Sequence, residues 1–128
     1  MPLRYTILKP HHVLYVRWQG DITPSEVFRQ RSVARDDPNF EPSLAELVDL
    51  RGGRLSCLSA YELRNLSAST IYAAGVRRAL VTDSDLEFGV SRMYGMFVER
   101  HGHDVRVFRS IEKACEWLGV PVEALPSD

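Results

Sequence analysis

Apolar and polar residues follow two different periods along the chain, and the change of period divides it into strands and helices. Short runs of valine, leucine and aromatic residues between turn residues are typical of buried strands. Segments in which apolar residues recur every three or four positions are typical of helices that cover a sheet. The sequence predicts five strands, at residues 5–8, 13–18, 44–50, 78–82 and 105–108.

The first predicted helix follows the second strand. Thr23 is a capping residue, Pro24 suits the first helical position, and Glu26 completes the pattern of a capping box. The helix is expected to run to about residue 35, where Asp36-Asp37-Pro38 stops it. Its predicted inward face consists of Val27, Phe28 and Ala34.

Three further helices are predicted between or after the remaining strands. Ser59 caps a helix over about residues 60–73, with Glu62 as its third residue. A longer helix over about 86–101 carries apolar residues at helical spacing. Ser110 caps the last helix, which Gly119 ends, and which buries Cys115 on its apolar side.

The element order β-β-α-β-α-β-α-β-α defines the expected fold class. Strands that alternate with helices require an α/β fold with a mainly parallel sheet and right-handed crossovers. The first two strands are joined by a short connection, so the N-terminal strand is an antiparallel hairpin strand at the edge of the sheet. At 128 residues, the chain is expected to be a single domain over residues 1–128.

Composition narrows the class of protein. Sixteen basic and seventeen acidic residues give no global basic field, so a nucleic-acid partner is not expected. The apolar stretches are far shorter than the about 20 residues of a transmembrane helix, and the N-terminus has no apolar signal core. Two distant cysteines, Cys57 and Cys115, are expected to be reduced thiols, which predicts a cytoplasmic location. Fourteen arginines against two lysines indicate a GC-rich bacterial genome.

Four segments carry a resemblance to a known family. They are residues 13–23 (VLYVRWQGDIT), 47–51 (LVDLR), 88–94 (FGVSRMY) and 107–118 (VFRSIEKACEWL). Together they resemble the bacterial SpoIIAA-like proteins of the STAS/SEC14-like superfamily. The resemblance implies a non-enzymatic regulatory or protein-interaction module with a protein partner. It also implies a serine switch after the core strand, near Ser56 or Ser59, although the usual Asp-Ser-(Ser/Thr)-Gly motif is absent there.

The predicted partner-binding and switch residues follow the carboxyl ends of the parallel strands, where ligands bind in open α/β sheets. They are Asp21, Asp49, Arg51, Arg54, Ser56 and Ser59. Asp21 and Asp49, with Asp83 and Asp85, could hold Mg²⁺, but aspartate is also common at strand ends and helix caps. A phosphoryl-acceptor site would need a lysine at this edge, and neither Lys9 nor Lys113 is placed there.

Other chemistries find little support in the sequence. The histidines of His11-His12 and His101-Gly102-His103 belong to two loops at the opposite edge, and the sequence leaves open whether they meet to bind a metal. Cys57 has no histidine near it in the chain, and no Gly-x-Ser-x-Gly motif occurs. The sequence therefore predicts no enzyme, no cofactor and no metal.

Two further expectations concern ligands and assembly. The alternative to a protein partner is a small apolar, lipid-like ligand held between the sheet and the second and third helices. The resemblance to SEC14-like proteins implies this alternative. The chain is also expected to form a homodimer, because the first strand leaves an open edge and because Met96 and Phe97 spread apolar surface over more than one face of the third helix.

Overall fold

The computed structural model describes residues 3–127, and its elements follow the predicted order. The strands are β1 Leu3–Leu8, β2 Val13–Trp18, β3 Gly20–Asp21, β4 Ala45–Asp49, β5 Gly53–Arg54, β6 Arg77–Val81 and β7 Asp104–Phe108. The helices are α1 Pro24–Arg35, α2 Ala60–Ala68, α3 Asp85–Glu99 and α4 Ile111–Leu118. Short 3-10 turns lie at Lys9–His11 and Val122–Ala124.

The main sheet has five strands in the order β1-β2-β4-β6-β7. β1 pairs with β2 in antiparallel fashion, and all other neighbours are parallel. The predicted α/β fold with an antiparallel N-terminal edge strand is therefore confirmed. The two-residue strands β3 and β5 pair with each other in parallel, and the sequence pattern did not predict this pairing.

Helices cover the two faces of the sheet unequally. The parallel strands advance in one direction from β2 to β7, and right-handed crossovers then place α1, α2 and α3 on the same face. The larger core cluster lies on that face and contains side chains from all three helices, among them Val27, Leu63 and Phe97. α4 packs on the other face together with the 3-10 turn Val122–Ala124, and its residues Ile111, Ala114 and Cys115 belong to the smaller core cluster.

The predicted helix starts are confirmed, but Glu26 departs from the predicted capping box, because its carboxylate accepts from the Thr23 hydroxyl at 2.7 Å. The Thr23 hydroxyl accepts a hydrogen bond from the Glu26 amide at 3.3 Å, and Ser110 caps α4 in the same way. Ser59 and Glu62 form a complete capping box. Gly119 ends α4 at a φ of 77°, a left-handed conformation that favours glycine. These helix starts and the stop at Gly119 depend on residues that are neighbours in the chain, so the sequence pattern predicts them.

The second helix ends at Ala68, whereas the sequence predicted an end near residue 73. The physical reason lies in Arg31 on α1. Its Nη1 donates to the carbonyl oxygens of Leu66 and Ser69, both at 2.6 Å, and thereby satisfies backbone acceptors that the end of a helix leaves without partners. The third helix likewise ends at Glu99, two residues before its predicted end.

The predicted inward face of α1 is wrong at Phe28, whose ring is 41% exposed. The inward stripe instead follows Val27, Arg31 and Ala34, which recur at the four- and three-residue spacing of one helix face. Arg31 can be buried because its guanidinium makes three hydrogen bonds: besides the carbonyls of Leu66 and Ser69, its Nη2 donates to the Tyr94 hydroxyl at 2.7 Å. One arginine therefore joins α1, α2 and α3.

A buried ion pair crosses the centre of the sheet. Arg78 Nε of β6 donates to Glu46 Oε1 of β4 at 2.8 Å, and both side chains are almost completely buried. The Tyr72 hydroxyl donates to the other carboxylate oxygen at 2.9 Å, and the Arg78 guanidinium lies 5.1 Å from the centre of the Tyr72 ring. Each charge is thus compensated and hydrogen bonded, as buried ions require.

No helix within residues 3–127 is long and apolar enough to cross a membrane.

Replacing Glu46 by glutamine tests the ion pair. Glu46→Gln keeps the shape of the side chain but leaves the Arg78 charge buried without its counter-ion, so we expect the free energy of unfolding to fall by about 3 kcal/mol. Urea denaturation measures the change. Glu116→Gln, on the exposed side of α4, is the matched control and should have little effect. Equal stability of the two variants would contradict the role of the pair.

His103 makes stability depend on pH. Burial lowers the pKa of its imidazole, the charges of Arg78 and His101 lower it further, and Glu46 acts in the opposite direction. The unfolded chain therefore binds this proton more readily than the folded chain, and the stabilisation is lost as pH falls below about 6.5. In urea denaturation, we expect wild type to lose more stability between about pH 7 and about pH 5.5 than His103→Gln does. If the free energies of unfolding of wild type and His103→Gln changed equally with pH, this role of His103 would be contradicted.

Candidate functional site

The carboxyl ends of β2 and β4 continue into the small ribbon formed by β3 and β5. The Gly20 amide donates to the Gly52 carbonyl oxygen at 2.8 Å, and the Gly53 amide donates to the Leu50 carbonyl at the same distance. A Cβ atom on Gly53 would lie only 2.7 Å from the Trp18 carbonyl oxygen, so this position needs glycine. The ribbon therefore packs closely against the carboxyl ends of β2 and β4.

An open cleft of about 530 Å³ lies between this ribbon and the start of α3. Its lining residues are Gly20, Gly52, Gly53, Arg54, Ser56, Asp83, Ser84, Leu86 and Glu87. The cleft thus lies at the carboxyl edge of the sheet, where the sequence placed the site.

Glu87 ties the loop after β5 to the start of α3. Its side chain is buried, and its Oε1 accepts hydrogen bonds from the amides of Leu55 at 2.7 Å and Ser56 at 3.2 Å. The Ser56 hydroxyl donates to Oε2 of the same carboxylate. Ser84 caps the helix by accepting from the Glu87 amide at 3.2 Å. A single carboxylate therefore fixes the conformation of the loop that carries Ser56.

Two of the predicted residues pair on the rim of the cleft. Arg54 Nε donates to Asp21 Oδ1 at 2.6 Å, which joins β5 to β3 by side chains as well as by backbone. Both side chains remain more than half exposed. An exposed ion pair of this kind adds little stability but leaves both charges accessible to a partner.

Asp49 is the one predicted site residue that the structure buries completely, and it faces the side of the sheet that α4 covers. Its carboxylate accepts from Arg17 Nη1 at 2.5 Å, from the Tyr15 hydroxyl at 3.1 Å and from Arg51 Nε at 2.9 Å. Burial alone would raise the pKa of Asp49, but the hydrogen bonds from Arg51 and the charges of both arginines outweigh it and hold the pKa below its usual value. Asp49 and Arg51 are thus bound to each other and do not line the cleft.

Ser59 lies at the start of α2, where its hydroxyl accepts from the Glu62 amide at 3.1 Å. The Ser59 amide donates to Glu62 Oε1 at 2.9 Å in return. The hydroxyl oxygen is therefore engaged in helix capping, whereas the Ser56 hydroxyl is a donor to a buried carboxylate. The two serines that the sequence could not separate have different partners.

Sequence reasoning missed Glu87 and Leu86. The segment from Ser84 to Glu87 has the spacing of a capping box, a pattern that predicts a local partner for the glutamate side chain. Glu87 instead binds amides 31 and 32 residues away in the chain, which no local pattern indicates. Leu86 belongs to the first turn of α3 and is 66% exposed.

The other candidate constellations are dispersed. His12 Nε2 contacts Ser43 Oγ at 2.8 Å, and His103 Nε2 contacts Thr70 Oγ1 at 3.3 Å. Asp85 accepts from Arg109 at 2.5 Å. Within the part of the chain that the structure describes, no group of three or more histidine, cysteine, aspartate or glutamate side chains could hold a metal ion.

The space between the sheet and helices α2 and α3, where the sequence left room for an apolar ligand, contains core side chains. They are Leu63, Leu66, Tyr94 and Phe97. Tyr61, in the first turn of α2, lies outside this space and is 73% exposed.

Comparison with known proteins supports the fold. No protein-family model matches the chain, and no curated protein sequence matches it. In structure, the chain is similar to an uncharacterized protein of the DUF3478 family with a SpoIIAA-like fold, from Shewanella loihica PV-4. The two share 17% sequence identity with a TM-score of 0.54, over 83% of each chain. This likeness establishes the fold alone: the chain has a SpoIIAA-like fold, as the resemblance of its segments predicted.

Gly53→Ala tests the close approach of the ribbon to β2. The added methyl group would meet the carbonyl oxygens of Trp18 and Leu50, so we expect a loss of about 2 kcal/mol in the free energy of unfolding. Gly89→Ala is the matched control, because a Cβ atom there meets nothing within 4 Å on an exposed part of α3. It should increase stability slightly, since alanine favours helix. Denaturation curves that rank the two variants in the opposite order would contradict this account.

Proposed function

We propose that the chain is a non-enzymatic, STAS-like protein-interaction module with a regulatory role, and that its protein partner binds over the cleft. One observation carries the proposal: a large apolar side chain, Leu86, is exposed in a cleft whose other lining residues are glycine, serine or charged. Leu86 lines the cleft, and Tyr61 lies in the first turn of α2, which also begins at this edge of the sheet. Exposed apolar side chains beside a polar rim are typical of a surface that binds protein.

The predicted site residues other than Ser56 have three roles under this proposal. Asp21 and Arg54 form the charged rim that sets the orientation of the partner, because both are accessible and lie next to the cleft. Asp49 and Arg51 do not contact the partner. Their ion pair fixes the end of β4, from which the chain continues into the ribbon. Ser59 maintains the start of α2, the helix that presents Tyr61.

Ser56 is the switch residue that we propose. Phosphorylation of its hydroxyl would add a charge of about −1.5 to −2. That charge would lie against the buried carboxylate of Glu87, to which the hydroxyl now donates. The repulsion would break the contacts that tie residues 55 and 56 to α3, and the shape of the cleft would change.

Binding rather than catalysis also agrees with the contacts of the nucleophilic side chains at this edge. Ser56 contacts a carboxylate that is already occupied by two backbone amides. The Cys57 thiol donates to the backbone carbonyls of Ile22 at 3.4 Å and Arg54 at 3.2 Å. Both Cys57 and Cys115 are free thiols, a state that a cytoplasmic location would preserve.

Affinity capture from the source cells tests the proposal. We expect a protein that wild type retains and that Leu86→Asp loses, because the charge removes an exposed apolar contact at the cleft. Val33→Asp is the matched control, since Val33 is 53% exposed on α1, away from the cleft lining. A partner that Leu86→Asp still retains, or no retained partner at all, would contradict the proposal.

Ser56→Glu tests the switch without a kinase. The introduced carboxylate would repel Glu87, so we expect faster hydrogen exchange at the amides of Leu55 and Ser56, which wild type protects through Glu87. Ser56→Ala is the control, because it removes the hydroxyl but keeps both amide bonds to the carboxylate. Equal exchange rates in the two variants would rule out this form of the switch.

A further inference from the structure

β7 is the last strand of the sheet, and one side of it is open. The Asp104 amide donates to the Val76 carbonyl, and the Phe108 carbonyl accepts from the Thr82 amide, so these residues direct their backbone groups toward β6. Backbone groups of successive residues in a strand point to alternate sides, and those of Val105 and Val107 therefore point outward. Within residues 3–127, no strand pairs with this outer side of β7.

A groove of about 320 Å³ runs along the same edge, between β7 and α3. One stripe of α3 forms its upper wall, with Phe88, Arg92, Gly95, Met96 and Glu99. Gly95 brings the helix close to the strand, since a Cβ atom there would lie 3.1 Å from Val105 Cγ1. Met96 is 58% exposed although it belongs to this wall. An open strand edge beneath an exposed apolar side chain is a surface suited to pairing with another strand.

We propose that this surface binds a second copy of the chain, through antiparallel pairing of β7 with β7 about a two-fold axis at Val105. Val105 and its symmetry mate then exchange both backbone hydrogen bonds, because their groups point outward. In this register Asp104 lies directly opposite Arg106 of the other copy, and the symmetry makes the contact twice. Opposite charges at facing positions of an antiparallel pair are favourable.

The charges on α3 agree with the same axis independently. Gly95 faces Val105 across the groove, so an axis through Val105 passes α3 at the level of Gly95 and Met96. Arg92 lies one turn before this level, and Glu99 lies one turn after it. The two-fold axis turns the second α3 antiparallel, which brings Arg92 of one copy opposite Glu99 of the other. Met96 packs at the centre of the two helices, where its exposed side chain becomes buried.

The other edge of the sheet does not offer this complementarity. β1 contains one charged residue, Arg4, and no acidic residue. Self-pairing of β1 would therefore create no ion pair between copies. The charge pattern selects β7, and it selects a closed two-fold pair rather than a chain of copies joined by unlike edges. This assembly leaves the cleft at the carboxyl ends of the strands open, and it does not depend on the function proposed for that cleft.

A charge exchange within β7 tests the proposal. We expect wild type to sediment at micromolar concentration with twice the 14.6 kDa mass of one chain. Asp104→Arg alone or Arg106→Asp alone places like charges opposite each other twice, and each should weaken the dimer by at least about tenfold. The double variant Asp104→Arg/Arg106→Asp restores both pairs, so it should restore the dimer. Arg29→Asp, an exposed charge reversal on α1, is the matched control and should leave the dimer unchanged.

Any one of three outcomes would overturn the proposal. One is a mass of 14.6 kDa for wild type at all micromolar concentrations. The second is a dimer that both single variants retain. The third is a dimer that the folded double variant does not regain. Circular dichroism confirms that each variant is folded. Because Arg106 also lies 5.0 Å from the centre of the Trp117 ring, the exchange Arg92→Glu/Glu99→Arg on α3 provides a second series that leaves β7 untouched. It should follow the same pattern of loss and recovery.

Discussion

The central strand β4 carries a carboxylate on each face of the sheet, and the arrangement of the neighbouring strands depends on these two charges. Glu46 faces the three-helix side and binds Arg78 of β6, whereas Asp49 faces the α4 side and binds Arg17 of β2. A shift of either pairing by one residue would turn these partners to opposite faces and leave buried charges uncompensated. The ion pairs therefore specify the register of β2, β4 and β6 more strictly than apolar packing alone would.

The sequence predicts what depends on neighbouring residues in the chain. Ser59 and Glu62 lie three positions apart, and their capping box is readable without a structure. The end of α2 was not predictable in this way, because it depends on Arg31, which lies 35 residues from Leu66. The misplaced Phe28 has the same origin: an arginine that finds three partners can take an inward position that hydrophobicity assigns to a phenylalanine.

In the candidate site, too, the sequence predicts what strand ends determine and misses what contacts between distant residues determine. The sequence places Asp21, Arg54 and Ser56 at the carboxyl edge, because strand ends in a parallel sheet share one edge. It cannot distinguish them from Asp49, whose position in the last residue of β4 turns it to the covered face. The role of Glu87, which fixes the loop that carries Ser56, was not predictable from the sequence because its hydrogen-bond partners lie in a distant segment of the chain. The position of the cleft was predictable, but the group that controls its shape was not.

The spatial order of the five main strands is also their order along the chain. Each strand that leaves the ribosome therefore finds its sheet neighbour already synthesised, and no strand has to be inserted between two others. The chain can assemble from the N-terminal hairpin outward, with every closing helix joining adjacent strands and keeping the loops to be closed short. During synthesis, the growing edge of the sheet is always the newest strand, and β7 with its open side is the last to form.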